Sequence, residues 1–253
     1  MAEDERLIPR ATRDVHPLIW LGLPALGLAM RLLTPLLGFE RWTPVMDSEL
    51  GFVENATVAM LVPAFVLCVL VFLRRRALPT GIGWWMLAYG LAALNFAGEE
   101  VSWGQWWFGY ATPEAVARLN EQQEFNLHNI HNLFNNLPRQ VMNGSMVAAI
   151  VLPLVLYRPL RKPGKQHSLW QWLIPTWRVI PAAALSLLIR APKRLIEWLD
   201  PRYDPEGYVQ MAFVRASGEI KEYFLAAAML VYTTSIFVRM RAARPCPKEA
   251  GSD

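Results

Sequence analysis

Apolar residues in this chain run in long blocks instead of alternating with polar ones. Six blocks stand out, at about 18–37, 53–73, 82–97, 140–157, 169–189 and 220–238. A helix that crosses a bilayer needs about 20 consecutive apolar residues. A period of two, which marks half-buried strands, is not the pattern here. The blocks predict an all-α polytopic membrane bundle of about six transmembrane helices. Between the third and fourth blocks, Thr112-Pro113 reads as a helix start, with Thr as cap and Pro at the first helical position. From there Val116, Leu119, Leu127, Ile130, Phe134 and Leu137 fall on one helical stripe. That spacing predicts an amphipathic or re-entrant helix near 113–137, ending before Pro138 and weakened by its asparagines. Pro175, Arg178 and Pro181 interrupt the fifth block, and 190–218 reads as a polar loop with turns at Asp200-Pro201 and Asp204-Pro205.

Composition strengthens the membrane reading. Of 253 residues, 54% are hydrophobic and 18% charged, against roughly 25% charged in soluble domains. The net charge of +4 comes from basic residues beside the apolar blocks. No basic stripe with interleaved aromatics is present, so an anionic lipid surface is the expected partner and nucleic acid is not. Fourteen Lys and Arg residues fall on the N-terminus, the loops at 74–81 and 158–168, and the tail; nine fall on the opposite, longer segments. The positive-inside tendency then puts both termini in the cytoplasm. The expected organisation is a cytoplasmic segment 1–17, a single transmembrane domain 18–238 and a cytoplasmic basic tail 239–253. In a bacterium this is an inner-membrane protein, and the first block reads as an anchor, not a cleaved signal. Cys68 and Cys246 match no zinc spacing and are not expected to pair.

Chemistry-bearing residues gather on the side opposite the basic loops. Glu99 and Glu100 close the third block, and adjacent residues on a helix point about 100° apart, so one of the two is expected to face the bundle. Metal ligation, general base catalysis and proton carriage are all open to them, as is a plain position in a loop. On a helix through 121–131, Glu121, Glu124, His128 and His131 share an arc of about 80°. Imidazole with carboxylate suits a divalent metal such as zinc, iron or manganese, so Glu124, His128 and His131 are candidate ligands. A solvated helix face explains the same residues equally well. Glu54, Glu219 and Glu222 begin spans, where a carboxylate also simply favours a helix N-terminus. Glu54 and Glu222 are added to Glu99 and Glu100 as candidate catalytic carboxylates. Arg31 and Arg178 are cations within apolar blocks and candidates for a substrate or lipid phosphate. Trp103, Trp106 and Trp107 suit the headgroup level, and the 103–107 segment is a candidate docking site for a membrane protein partner. Ser102 lacks the surroundings of a nucleophile elbow.

Gly98-Glu99-Glu100-Val101-Ser102-Trp103-Gly104-Gln105, Thr112-Pro113-Glu114 and Asn126-Leu127-His128-Asn129 together resemble a signature of uncharacterised bacterial polytopic inner-membrane proteins. The entry to the second block, Asp47-Ser48-Glu49 through Glu54, is similar to the same pattern. The resemblance covers mainly 45–132 and implies a membrane class without an established activity. The expected function is a metal-assisted hydrolase or transferase acting on a lipid or lipid-linked substrate at the outer face. A non-catalytic accessory or assembly subunit and a proton-coupled transporter are the competing readings.

Overall fold

The computed structural model describes residues 7–8, 15–46, 51–120, 125–126, 132–160, 169–200, 218–242 and 244–245. Nearly all regular structure among them is helical. A π-helical turn, Leu18–Gly22, leads into α1 (Leu23–Leu33). The helix α2 (Phe39–Met46) precedes α3 (Phe52–Leu73), and α4 (Ile82–Glu100) returns beside α3. Two short helices follow, α5 (Gln105–Phe108) and α6 (Glu114–Ala117), then the long α7 (Asn132–Leu160). A broken segment comes next: α8 (Leu169–Leu173), a 3-10 turn at Trp177–Val179, and α9 (Ile180–Leu188). The chain continues through α10 (Ala191–Leu199) to α11 (Glu219–Ala242). The strands β1 (Leu7–Ile8) and β2 (Arg244–Pro245) pair antiparallel, which ties the two ends of the chain together.

Among the described residues, four segments are long and apolar enough to cross a membrane: Phe52–Leu73, Asn136–Leu156, Leu169–Leu199 and Glu219–Ala242. Leu18–Leu33 is a shorter apolar helix. Hydrocarbon offers no partners for backbone N–H and C=O, so the helix is the only local fold that lets such blocks satisfy themselves. The outer surface agrees with this: Leu26, Val62, Val66, Leu70, Leu91, Val151 and Leu154 are all exposed. A belt of that kind is costly in water and neutral in lipid.

The last helix, α11, forms the axis of the bundle. Its buried side chains run from Ile220 to Met240, with Ala226, Ala227 and Ala228 leaving room for neighbours to approach. Both α3 and α9 pack directly on α11, α4 packs on α3, and α7 packs on α9. Polar ties fix the register. Tyr223 donates its hydroxyl to the carbonyl of Leu23 at 3.0 Å, which seats α1 on the early part of α11. The Trp85 indole donates to the Tyr232 hydroxyl at 3.0 Å, and Tyr232 donates to the Leu173 carbonyl at 2.9 Å. The start of α4 therefore lies beside the later part of α11, and the two run antiparallel. From these contacts to Glu100 on α4, and back to Glu219 on α11, is roughly 20 Å in each case at 1.5 Å per residue. The last turn of α4 and the first turn of α11 thus reach the same end of the bundle. Because α3 and α4 form an antiparallel pair, the first turn of α3 is there too.

Four boundaries differ from the sequence expectation, the first being that α6 begins at Glu114, with Pro113 and not Thr112 at the cap position. The 113–137 segment is not one helix: α6 stops at Ala117, and Phe125 and Asn126 are non-helical. Pro138 does not terminate a helix but lies within α7, which begins at Asn132. Part of the expected loop at 190–218 is helical, since Pro192 sits in the first turn of α10, where a missing N–H costs nothing. The interruption expected around Pro175 is present. Arg239 spans it, donating from Nη1 to the Gln171 carbonyl at 2.8 Å, from Nη2 to the Trp172 carbonyl at 3.2 Å and from Nε to the Ser235 carbonyl at 3.2 Å. The carbonyls left over where α8 ends thereby find a buried donor.

Candidate functional site

The opening motif of the resemblance folds as a tight turn at the end of α4. Ser102, Trp103 and Gly104 are consecutive left-handed residues, with φ of 45°, 54° and 92°. Glycine adopts that region freely, whereas each of the other two costs about 1–3 kcal/mol and persists only when its surroundings over-determine it. Those surroundings are the other letters of the motif. The Trp103 ring lies over Gly98, where a Cβ would come within 2.8 Å of the indole. The Trp103 Nε1 donates to Glu99 Oε1 at 2.8 Å. The Tyr110 hydroxyl bridges the carbonyls of Trp103, at 3.0 Å, and Ser102, at 3.3 Å.

A second layer of neutral polar groups braces this turn. Gln105 donates to the Thr112 hydroxyl at 2.9 Å and accepts from the Phe125 backbone N–H at 2.8 Å. Asn126 donates to Ser102 Oγ at 3.3 Å, and Asn120 donates to the Asn126 side-chain and backbone oxygens at 2.8 and 3.0 Å. Ser102, Asn120 and Asn126 are all buried. Buried amides of this kind are stable only as a satisfied set. Sequence reasoning missed Gln105, Thr112, Asn120 and Asn126 as site residues. The available signal was the density of Asn and Gln after an apolar block, which was read only as weakening a helix.

Of the candidate carboxylates, Glu99 and Glu100 are half-buried at the end of α4, and Glu99 is engaged with Trp103. Glu54 is half-buried in the first turn of α3, with one oxygen closed off from solvent. Its neighbour Asn55 accepts from Trp107 Nε1 at 3.1 Å, which joins that turn to the Trp-rich segment. Glu219 and Glu222 occupy the first turn of α11, both half-buried. The topology thus brings Glu54, Glu99, Glu100, Glu219 and Glu222 to one end of the bundle. Arg31 belongs there as well: it is buried near the end of α1, two turns beyond Leu23. Arg178 does not. It lies toward the opposite end, donating to the Val15 carbonyl at 3.2 Å and lying against the Trp177 ring. Trp103, Trp106, Trp107 and Phe108 are exposed on the outer side of the turn.

Glu121, Glu124, His128 and His131 lie outside the described residues. The shared arc inferred for them assumed an unbroken helix, and the non-helical Phe125 and Asn126 remove that assumption. Among the described residues, no group of three His, Cys, Asp or Glu side chains is placed to hold a metal ion.

Fold and composition define a class: an α-helical bundle of the integral membrane type, with a braced polar turn and a set of carboxylates at one end. Comparison with protein-family models, characterised proteins and solved structures gave no match.

Proposed function

We propose that the chain is a six-pass membrane protein that acts at the carboxylate end of its bundle, as a hydrolase or transferase of a lipid or lipid-linked substrate. Six passes follow from adding α1 and α4 to the four long apolar segments. The helix α4 has 19 residues, enough to extend roughly 28 Å. An even number of passes agrees with the pairing of the two chain ends in one strand pair. The basic loops at that end assign it to the cytoplasm, so the carboxylate end faces outward.

The observation that carries the reading is the gathering of half-buried carboxylates from three separate helices at one end of the bundle, with Glu99 bonded to the rigid turn. Ionisable groups at membrane depth are costly and are kept where they act. Glu100 and Glu54 are the acid–base residues of this proposal. Glu99 is oriented by the Trp103 indole, and Glu222 supports from α11. In a metal-assisted form of the reaction, Glu124, His128 and His131 would hold the ion, which would supply a bound water of lowered pKa.

Lipid extracts from cells with and without the protein test the reading. The wild type changes the abundance of at least one lipid class, and Glu100→Gln and Glu54→Gln abolish the change. An extract unaffected by the presence of the protein overturns it. Metal analysis of purified protein tests the ion separately: bound metal is expected in the wild type and lost in His128→Ala, and its absence from the wild type removes the metal step.

A second reading has an observation of its own. Beside the rigid turn Phe108 is exposed, and Trp103, Trp106 and Trp107 are exposed in part, which suits an accessory subunit that docks a membrane partner. Loss of a co-purifying protein in Trp106→Ala with an unchanged lipid profile favours that reading.

A further inference from the structure

The carboxylate end also carries a group of cations that the proposed chemistry does not use. Lys221, in the first turn of α11, is only 7% exposed. Among the described residues it makes no hydrogen bond or ion pair. Three arginines lie close enough to repel its charge: Arg190 at the end of α9, Arg194 one turn later on α10, and Arg139 near the start of α7. The packing of α7 on α9 and of α9 on α11 brings these segments together. The backbone bond from Arg194 N to Arg190 O, at 3.0 Å, keeps the two arginines on one face. Glu222 offsets part of the charge on Lys221. Glu197, the one acid of α10, pairs with Lys193 at 3.7 Å. Four cations from three parts of the chain therefore share one end of the bundle, Lys221 buried, Arg139 and Arg194 exposed, and Arg190 Nε enclosed and making no hydrogen bond.

A buried ammonium with guanidinium groups in its neighbourhood is unfavourable on its own and becomes favourable when an anion joins it. The flanking side chains indicate which anion. Arg194 shares a face of α10 with exposed Trp198, one turn further on, and exposed Leu137 and Val141 lie near Arg139 in the first turns of α7. Exposed apolar side chains near cations at the end of a bundle match a molecule with a charged head and hydrocarbon tails. Tryptophan at this depth is the usual marker of the headgroup level.

We propose that Lys221, Arg190, Arg194 and Arg139 form a binding site for the phosphate headgroup of an anionic lipid. The site stands apart from the acid–base reading, because it requires only binding.

Native mass spectrometry of the full chain in detergent, with phosphatidylglycerol or phosphatidylcholine added, tests it. The wild type is expected to retain phosphatidylglycerol in preference to phosphatidylcholine. Each neutralised cation near a headgroup weakens retention about fivefold, so Lys221→Met and Arg190→Gln should each show that loss. Lys221→Arg keeps the charge and should restore retention, which separates the site from a folding defect. Arg76→Gln, at the opposite end of the bundle, serves as the control for general attraction between basic residues and lipid. Equal loss in Arg76→Gln and Lys221→Met overturns the proposal, as does undiminished retention in Lys221→Met. Binding of inorganic phosphate without retention of any lipid also overturns it.

Discussion

Trp103 is a bulky residue in a backbone conformation that side chains avoid, and its neighbours explain why it stays there. Gly98 provides the seat, Glu99 the acceptor, and Tyr110 clamps the carbonyls. Adding a methyl group at Gly98 forces the ring off its seat. Gly98→Ala is therefore expected to lower stability by about 1–3 kcal/mol, the usual cost of overpacking. Thermal unfolding in detergent reads it, and an unchanged midpoint refutes the seating role. Asn126→Ala should cost about as much for a different reason, since it leaves the buried amide of Asn120 and the hydroxyl of Ser102 short of a partner. Replacing Asn120 as well should add little, because the two act as one network; full additivity would show the bonds to be independent. At this scale the sequence was only half legible. Glu99 and Glu100 were visible as charges ending an apolar block, and their surroundings were not. The contacts of Ser102 and Gln105 come from Phe125 and Asn126, some twenty residues away, and spacing along one helix carries no information about such pairs.

Helices were easiest to read where solvent leaves the backbone no alternative. The blocks at 53–73 and 220–238 became α3 and α11 with little change in their bounds, because hydrocarbon compels internal hydrogen bonding. Polar stretches were harder. The stripe through 113–137 met the helical period, yet Phe125 and Asn126 give their polar groups to Gln105 and Ser102 instead. Tertiary bonding overrode local propensity there, as it often does for asparagine-rich sequence. In 190–199 the error ran the other way: polarity and the turn signals at Asp200-Pro201 and Asp204-Pro205 suggested a loop, whereas Pro192 suits the first turn of a helix. The break at Pro175 was legible, but its repair by Arg239 was not. Arg239 reads as the start of a basic tail, while in the fold it is buried and bonded to three carbonyls. Arg239→Met should retain the packing of the stem and lose the charge-assisted bonds, at a cost of about 1.5–3 kcal/mol per lost bond. The expected readout is a strongly lowered unfolding midpoint, with Arg239→Lys recovering part of it. A variant as stable as the wild type would show that the broken helix holds without this brace.

Across the whole molecule, charge is divided unevenly between the two ends, and that division makes the architecture testable. Arg74, Arg75 and Arg76 follow α3 at the end where β1 and β2 pair. The carboxylates, the Trp-rich turn and the amphipathic α10 gather at the other end. If the bundle spans the membrane with this polarity, a cysteine in place of Arg76 and one in place of Trp198 must lie on opposite faces. Both positions are exposed, and Cys68 is buried and should stay silent. With Cys246 replaced by serine, Trp198→Cys should react with a membrane-impermeant maleimide in intact cells. Arg76→Cys should react only after the membrane is opened. Phe108→Cys, on the braced turn, should follow Trp198→Cys, because the turn and α10 belong to the same end of the bundle in this arrangement. Labelling of Arg76→Cys and Trp198→Cys from the same side would remove the six-pass arrangement, and with it the reason for treating Glu54, Glu99, Glu100 and Glu222 as one outward-facing group. The pattern expected instead ties the carboxylates and the Lys221 cations to a single face.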